Sequence, residues 1–182
     1  MGNNARVGIE IERKYVIMRP TEAELSKMPE YTKSEITQIY LSSEKGKTRR
    51  IRKRTKNGKA AYTETEKIRI DKMSSEETER EISKEEFDSL AREMKKNTRP
   101  IEKTRYTFVY EGQLFEIDVY PEWKKTAILE TELDKRERKV AFPPIITILE
   151  DVTGNRAYSN ASMSREFPRE LLITCDISCP RV

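Results

Sequence analysis

The chain alternates apolar and polar residues with the period of an extended strand. In Gly8–Ile17 (GIEIERKYVI), Ile9, Ile11, Tyr15 and Ile17 fall on one face together with Arg13, and Glu10, Glu12 and Lys14 on the other, because strand side chains alternate. The same period recurs over Thr37–Ser42, Thr48–Thr55, Ala60–Ile70, Thr78–Ile82, Ile101–Tyr110, Gln113–Tyr120 and Ala127–Leu133. Turn residues punctuate these runs at Gly46, Asn57-Gly58 and Gly112. Such spacing predicts about eight strands joined largely as antiparallel hairpins. Ser83–Asn97 reads as a helix, with Ser83 as N-cap, Glu86 as its capping-box partner and an apolar stripe of Phe87, Leu90, Ala91 and Met94. The run after Pro20 (TEAELSKM) predicts a short helix, and Pro143–Gly154 (PPIITILEDVTG) a third.

The polar faces carry an unusual arrangement. Like charges recur at i and i+2: Glu10 with Glu12, Arg50 with Arg52, Glu79 with Glu81, Lys103 with Arg105, Glu116 with Asp118, and Glu130 with Glu132. Lys67 shares its face with Thr63 and Thr65, opposite Ile68 and Ile70. Each strand alone would pass as the wet face of an antiparallel sheet. Repetition argues otherwise, since adjacent like charges repel and a solvated surface mixes its signs. Closing the strands into a barrel with these faces inward resolves the conflict. The expected fold is therefore α+β: an eight-stranded antiparallel closed barrel with a charged interior, its apolar faces outward beneath helices. Ile9 and Ile11 should lie under such cover. No repeat or linker divides the chain, so residues 1–182 are expected to form one domain.

Composition narrows the chemistry. Charged residues make up 37% of the chain and apolar residues 35%, and the net charge is only +4. That interleaved balance does not call for nucleic acid. There is no signal-peptide core or membrane-length apolar run, so a cytoplasmic protein without membrane contact is expected. Cys175 and Cys179 are the only cysteines and read as incidental. With no histidine in the chain, histidine bases and histidine-ligated zinc are excluded. Enclosed bases ask for a polyanion, and arginine matches phosphate bidentately. The surplus carboxylates ask for hard divalent cations such as Mg²⁺ or Mn²⁺. A linear polyphosphate bridged by metal satisfies both.

These residues resemble the triphosphate tunnel metalloenzymes of the CYTH superfamily. The hallmark Glu-x-Glu-x-Lys stands as Glu10-Ile11-Glu12-Arg13-Lys14, followed in order by QIYL, RIR (Arg50–Arg52), YTETEK ending at Lys67, EREIS, KTRY (Lys103–Tyr106), FEIDVY, LETELD and DVTGNRAYSN. KKTAILETE departs from the pattern by lacking the Gly-Leu that often precedes the acidic strand. The resemblance implies that Lys14, Arg50, Arg52, Lys67, Lys103 and Arg105 hold phosphate oxygens, with Arg54 and Arg156 as further basic contacts. Glu10, Glu12, Asp118, Glu130 and Glu132 would face metal, with Glu79, Glu81 and Glu116 supporting them. Glu10, Glu12, Lys14 and Lys67 would act in catalysis. Tyr158 and Asn160 match a C-terminal motif near the tunnel mouth. The expected activity is metal-dependent hydrolysis of inorganic triphosphate to pyrophosphate and phosphate. Alternatives are another activity of the superfamily on an organic triphosphate (adenylyl cyclase, thiamine triphosphatase or nucleoside triphosphatase), a polyphosphate-binding module without catalysis, and a structural protein with its charges in solvent.

Overall fold

A computed structural model describes residues 6–171; Cys175 and Cys179 lie outside them. Nine strands form one antiparallel sheet: β1 (Arg6–Met18), β2 (Thr32–Leu41), β3 (Lys47–Lys56), β4 (Lys59–Arg69), β5 (Ser74–Glu81), β6 (Ile101–Tyr110), β7 (Gln113–Val119), β8 (Thr126–Glu132) and β9 (Ile148–Asp151). The order β5-β4-β3-β2-β6-β7-β8-β1 closes through β5–β1 pairing. β1 makes the closure by dividing its partners. Arg6–Ile11 pair with β5, and Glu12–Met18 pair with β8. The result is the expected eight-stranded barrel, with β9 appended.

β9 corrects the helix expected over Pro143–Gly154. Because β5 begins at Ser74 opposite Ile11, the edge of β1 at Tyr15–Ile17 is left open, and β9 fills it. Strand alternation sends Ile148 to one apolar cluster and Leu149 to another, a division that one helical stripe could not make. The Ser83–Asn97 helix is also shorter than expected. Helix α2 spans Lys84–Leu90, then tightens into a 3₁₀ turn over Ala91–Glu93, and Met94 bridges to Leu41. Ser83 caps it by accepting from the Glu86 backbone, but the Glu86 carboxylate takes a hydrogen bond from Arg80. The complete capping box sits instead on the short helix α1 (Glu22–Leu25), between Thr21 and Glu24.

Apolar residues form three clusters. The first is the outer face of β1, β6, β7 and β8, where Tyr15, Phe108, Phe115 and Leu129 are covered by Leu25 of α1 and by Phe142 and Ile146. The second is the outer face of β2 and β3, where Ile39, Leu41 and Ile51 lie under Phe87 of α2. The third lies within the barrel. Val16, Tyr40, Ile101, Tyr120 and Ile128 meet Val152, Tyr158 and Met163 from the segment containing α3 (Asn160–Met163). The interior is thus charged along part of its length and sealed by an apolar plug along the rest. Cover is also incomplete outside: Val7 and Ile9 are 66% and 69% exposed, and Ile11 is half-buried. Helix cover ends before the N-terminal half of β1.

Phe108 is fully buried and stacks on Phe115 at 5.4 Å. Phe108→Ala is expected to lower stability by about 3–5 kcal/mol, read from the midpoint of urea unfolding.

Candidate active site

The charged part of the interior is a cavity of about 760 Å³. β1 contributes Glu10, Glu12 and Lys14, β3 Arg50 and Arg52, β4 Lys67, β5 Glu77 and Glu79, β6 Arg105, β7 Glu116, and β8 Glu130 and Glu132. Each arrives by strand alternation, so their meeting is a consequence of barrel closure rather than of local sequence. Arg156 and Asn160 border the same cavity from the segment after β9.

Register produces the electrostatics. Lys14 stands directly across from Glu130, and their ion pair is 2.7 Å; Lys14 also reaches Glu12 at 3.4 Å. Arg105 stands opposite Asp118. Its Nε donates to Asp118 Oδ1 at 2.6 Å and one Nη to Asp118 Oδ2 at 2.7 Å, with that nitrogen also donating to Glu130 at 2.9 Å. Its other Nη donates to Glu116. Lys103 donates to Asp118 as well. Burial would push Glu130 and Asp118 up, but Lys14, Arg105 and Lys103 overcome it and hold Glu130 well below the usual carboxylate range and Asp118 below its own. Burial, with Arg105 next, brings Lys103 down to about 8 against the pull of Asp118.

Two regions of the cavity are left electrically uncompensated. Glu12 and Glu132 face each other across the β1–β8 ladder. Burial and the carboxylates of Glu116, Glu12 and Glu77 raise Glu132. Burial and Glu77 push Glu10 up to about 7, with Lys67 opposing at 3.4 Å. This wall is short of positive charge. On the opposite side, Arg50 and Arg52 carry buried Nε atoms with no hydrogen-bond partner among the described residues. Arg52 donates only a 3.4 Å bond to Gln38 among those residues, and burial followed by Arg50 and Arg105 brings it down to about 10. At Arg52 that wall is short of negative charge, while Arg50 has Glu77 at 3.5 Å.

The structure brings most of the sequence-derived residues together and sets a few aside. Lys103 and Asp118, expected to face ligand, have no exposed side-chain surface and do not line the cavity. They form a buried support for Arg105, beside the Tyr120 ring. Glu81 is exposed and outside the cavity, with Thr63 opposite. Arg54 is also outside it, donating to Ser34 at 3.1 Å. Tyr158 belongs to the apolar plug, while Asn160 accepts a 2.8 Å hydrogen bond from Tyr120. Glu77, unassigned from sequence, lies in the cavity between Arg50 and Lys67. β5 begins four residues before the expected Thr78; extending its alternation back from Glu79 would have found Glu77.

The donor set suits a hard divalent cation: carboxylates from β1 and β8 face one space in which Glu10 and Glu132 are raised above the usual carboxylate range. Among the described residues no three carboxylates are already gathered as a metal-ligand group, so a bound cation would have to draw side chains inward.

No family model matches the chain, and no curated relative matches it either. Solved structures do. One described as the inorganic triphosphatase NE1496 aligns over 88% of this chain and 97% of its own, at 25% identity and a TM-score of 0.56. Another, described as the hypothetical protein NE1496, aligns over 87% and 99%, at 26% identity and a TM-score of 0.54. The chain folds as a triphosphate tunnel of the CYTH superfamily. PH1819 from Pyrococcus horikoshii OT3 matches this tunnel over 70% of the chain and 80% of its own, at 25% identity and a TM-score of 0.51. No helix among the tunnel's described residues is long and apolar enough to cross a membrane.

Two outcomes follow from the tunnel's charge network. Asp118→Ala leaves Lys103 and Arg105 buried without their shared partner and should destabilise the fold by about 3–5 kcal/mol in urea unfolding. Glu10 gives a pH signature. With its carboxyl raised to about 7, the folded chain holds a proton between pH 4.5 and 7 that the unfolded chain has released. Its contribution to stability therefore falls as pH rises through that window. In chelator-treated buffer, Glu10→Gln should gain stability relative to wild type from pH 5 to pH 8.

Proposed function

We propose that the tunnel binds inorganic triphosphate together with Mg²⁺ or Mn²⁺ and hydrolyses it to pyrophosphate and phosphate. The observation that carries this reading is the pair of buried Nε atoms on Arg50 and Arg52, partnerless among the described residues. A buried donor without a partner is costly, and phosphate oxygens are the acceptors that fit two adjacent guanidinium forks. The opposite wall supplies the second half of the argument, because a carboxylate raised to about 7 marks a place where positive charge is missing. A metal–triphosphate complex meets both demands at once. The neighbour described as an inorganic triphosphatase supports the same class of activity.

In this reading Arg50 and Arg52 bind non-bridging oxygens and fix the chain of phosphates. Lys14 and Lys67 lie on strands β1 and β4 lining the same cavity and offset charge developing on the transferring and leaving groups. Glu10, Glu12 and Glu132 would hold the cation; Glu130, engaged with Lys14 and Arg105, keeps those bases aimed. A bound divalent cation supplies charge neutralisation and a more acidic water.

The test is phosphate release from triphosphate, ATP, thiamine triphosphate and pyrophosphate, each with Mg²⁺ or Mn²⁺. Fastest turnover is expected on inorganic triphosphate; release from none of them would overturn the reading. Arg52→Ala should lower kcat/KM by roughly 10²-fold, and Arg52→Lys should not restore it, since an ammonium lacks the fork. Mg²⁺ should raise the melting temperature more at pH 8 than at pH 5, where protons compete for Glu10 and Glu132.

A further inference from the structure

Glu77 has contacts unlike those of the other cavity carboxylates. Glu130 is held by Lys14 at 2.7 Å and Arg105 at 2.9 Å, deep in the Arg105 network. Glu79 accepts from the Thr65 hydroxyl at 2.9 Å and lies in no ion pair among the described residues. Glu77 instead pairs with Lys67 directly across the β4–β5 ladder and touches Arg50 only at 3.5 Å. Arg50 is one of the two guanidinium groups whose Nε has no partner among the described residues. Glu77 also sits against Glu10, whose carboxyl it helps to raise. One carboxylate thus lies between two bases of the anion site, poorly bonded to one of them, with the protonated form of Glu10 as its further neighbour.

We propose that Glu77 is a resident counter-ion of the triphosphate site: its carboxylate occupies, between Arg50 and Lys67, the place of a phosphoryl group, and the ligand binds by displacing it. This rests on the triphosphate reading and adds to it an internal competitor. A phosphoryl group offers more oxygens than a carboxylate, so it can satisfy the Arg50 fork that Glu77 meets with one long contact. Displacement also separates Glu77 from Lys67, leaving the carboxylate without a base. The empty site is held together at the expense of affinity, and small monoanions gain too little from Arg50 to enter.

The test is triphosphate binding by calorimetry in buffer containing chelator and no divalent metal, with circular dichroism reporting the fold. Glu77→Gln removes the competitor at nearly constant volume and should tighten binding about 10-fold, as expected for deleting one unit charge a few ångströms from a polyanion. Glu79→Gln deletes the same charge from the same strand and the same cavity, near Arg50 and Arg52 but in no ion pair with them among the described residues, and should tighten it much less. Glu77→Asp keeps the charge but shortens its reach to Arg50 and Lys67; it should fold like wild type and fall between wild type and Glu77→Gln. Weaker or unchanged binding in Glu77→Gln would overturn the proposal, as would equal tightening in Glu79→Gln, which would indicate general electrostatics. If Glu77→Gln fails to fold, binding by Glu77→Asp no tighter than wild type overturns it. In all these cases wild-type binding leaves the triphosphate reading standing. Failure of wild type to bind triphosphate with or without Mg²⁺ overturns both.

Discussion

Arg105 meets three carboxylates at once, from two neighbouring strands. It bonds to Asp118 and Glu116 of β7 and Glu130 of β8, and Lys103 shares Asp118 from the same strand as Arg105. Enclosing charge in a barrel is costly unless each group is paired and hydrogen-bonded. This network meets that condition for the deepest charges, and Lys14 extends it to β1 through Glu130. The charges higher in the cavity can therefore remain imperfectly matched without the barrel losing its floor. Deep pairs hold the structure; shallower, unmatched groups are available to ligand.

The same constraint explains the distribution of apolar residues. With charges inside, strand alternation directs Phe108, Phe115, Leu129 and Ile51 outward, where α1, α2 and the segment around Phe142 and Ile146 cover them. Where the inward residues turn apolar, at Val16, Tyr40, Ile101, Tyr120 and Ile128, the segment carrying Tyr158 and Met163 packs against them. The barrel therefore carries apolar cores on both sides of its wall, and the cavity is the part of the interior that neither fills. Arg69 helps hold the closing segment, donating to the carbonyls of Asp71, Lys72 and Gly154. Gly154 has φ +76°, and a Cβ there would meet the Lys72 carbonyl oxygen at 3.0 Å, so this crossing depends on glycine.

Above that floor the field is bipolar. Carboxylates that resist ionisation line one wall, and two guanidinium groups whose Nε atoms lack an acceptor among the described residues line the other. A neutral or singly charged ligand would satisfy only one side. A polyanion carrying its own cations would satisfy both, which is the physical basis of the triphosphate proposal. Glu77 lies within this field, paired with Lys67 and 3.5 Å from Arg50.

Much of this was legible from residue order alone. Period-two alternation identified the strands, and like-charge doublets on one face argued for their enclosure. The motif from Glu10 to Lys14 pointed to the family. Expectations failed where contacts outside the local pattern set the outcome. Ile148–Asp151 is strand because β5 starts too late to cover the β1 edge. Glu86 does not complete a capping box because Arg80 is within reach. Lys103 and Asp118 carry the same inward parity as Arg105 and Glu116 but lie below the cavity, and parity specifies a face without specifying a depth. Residue order dictates which side chains point inward, since alternation is a local property of an extended backbone. Which of those side chains lock together, and which are left facing the cavity, is set in three dimensions, because it depends on register and stagger between strands distant in the chain.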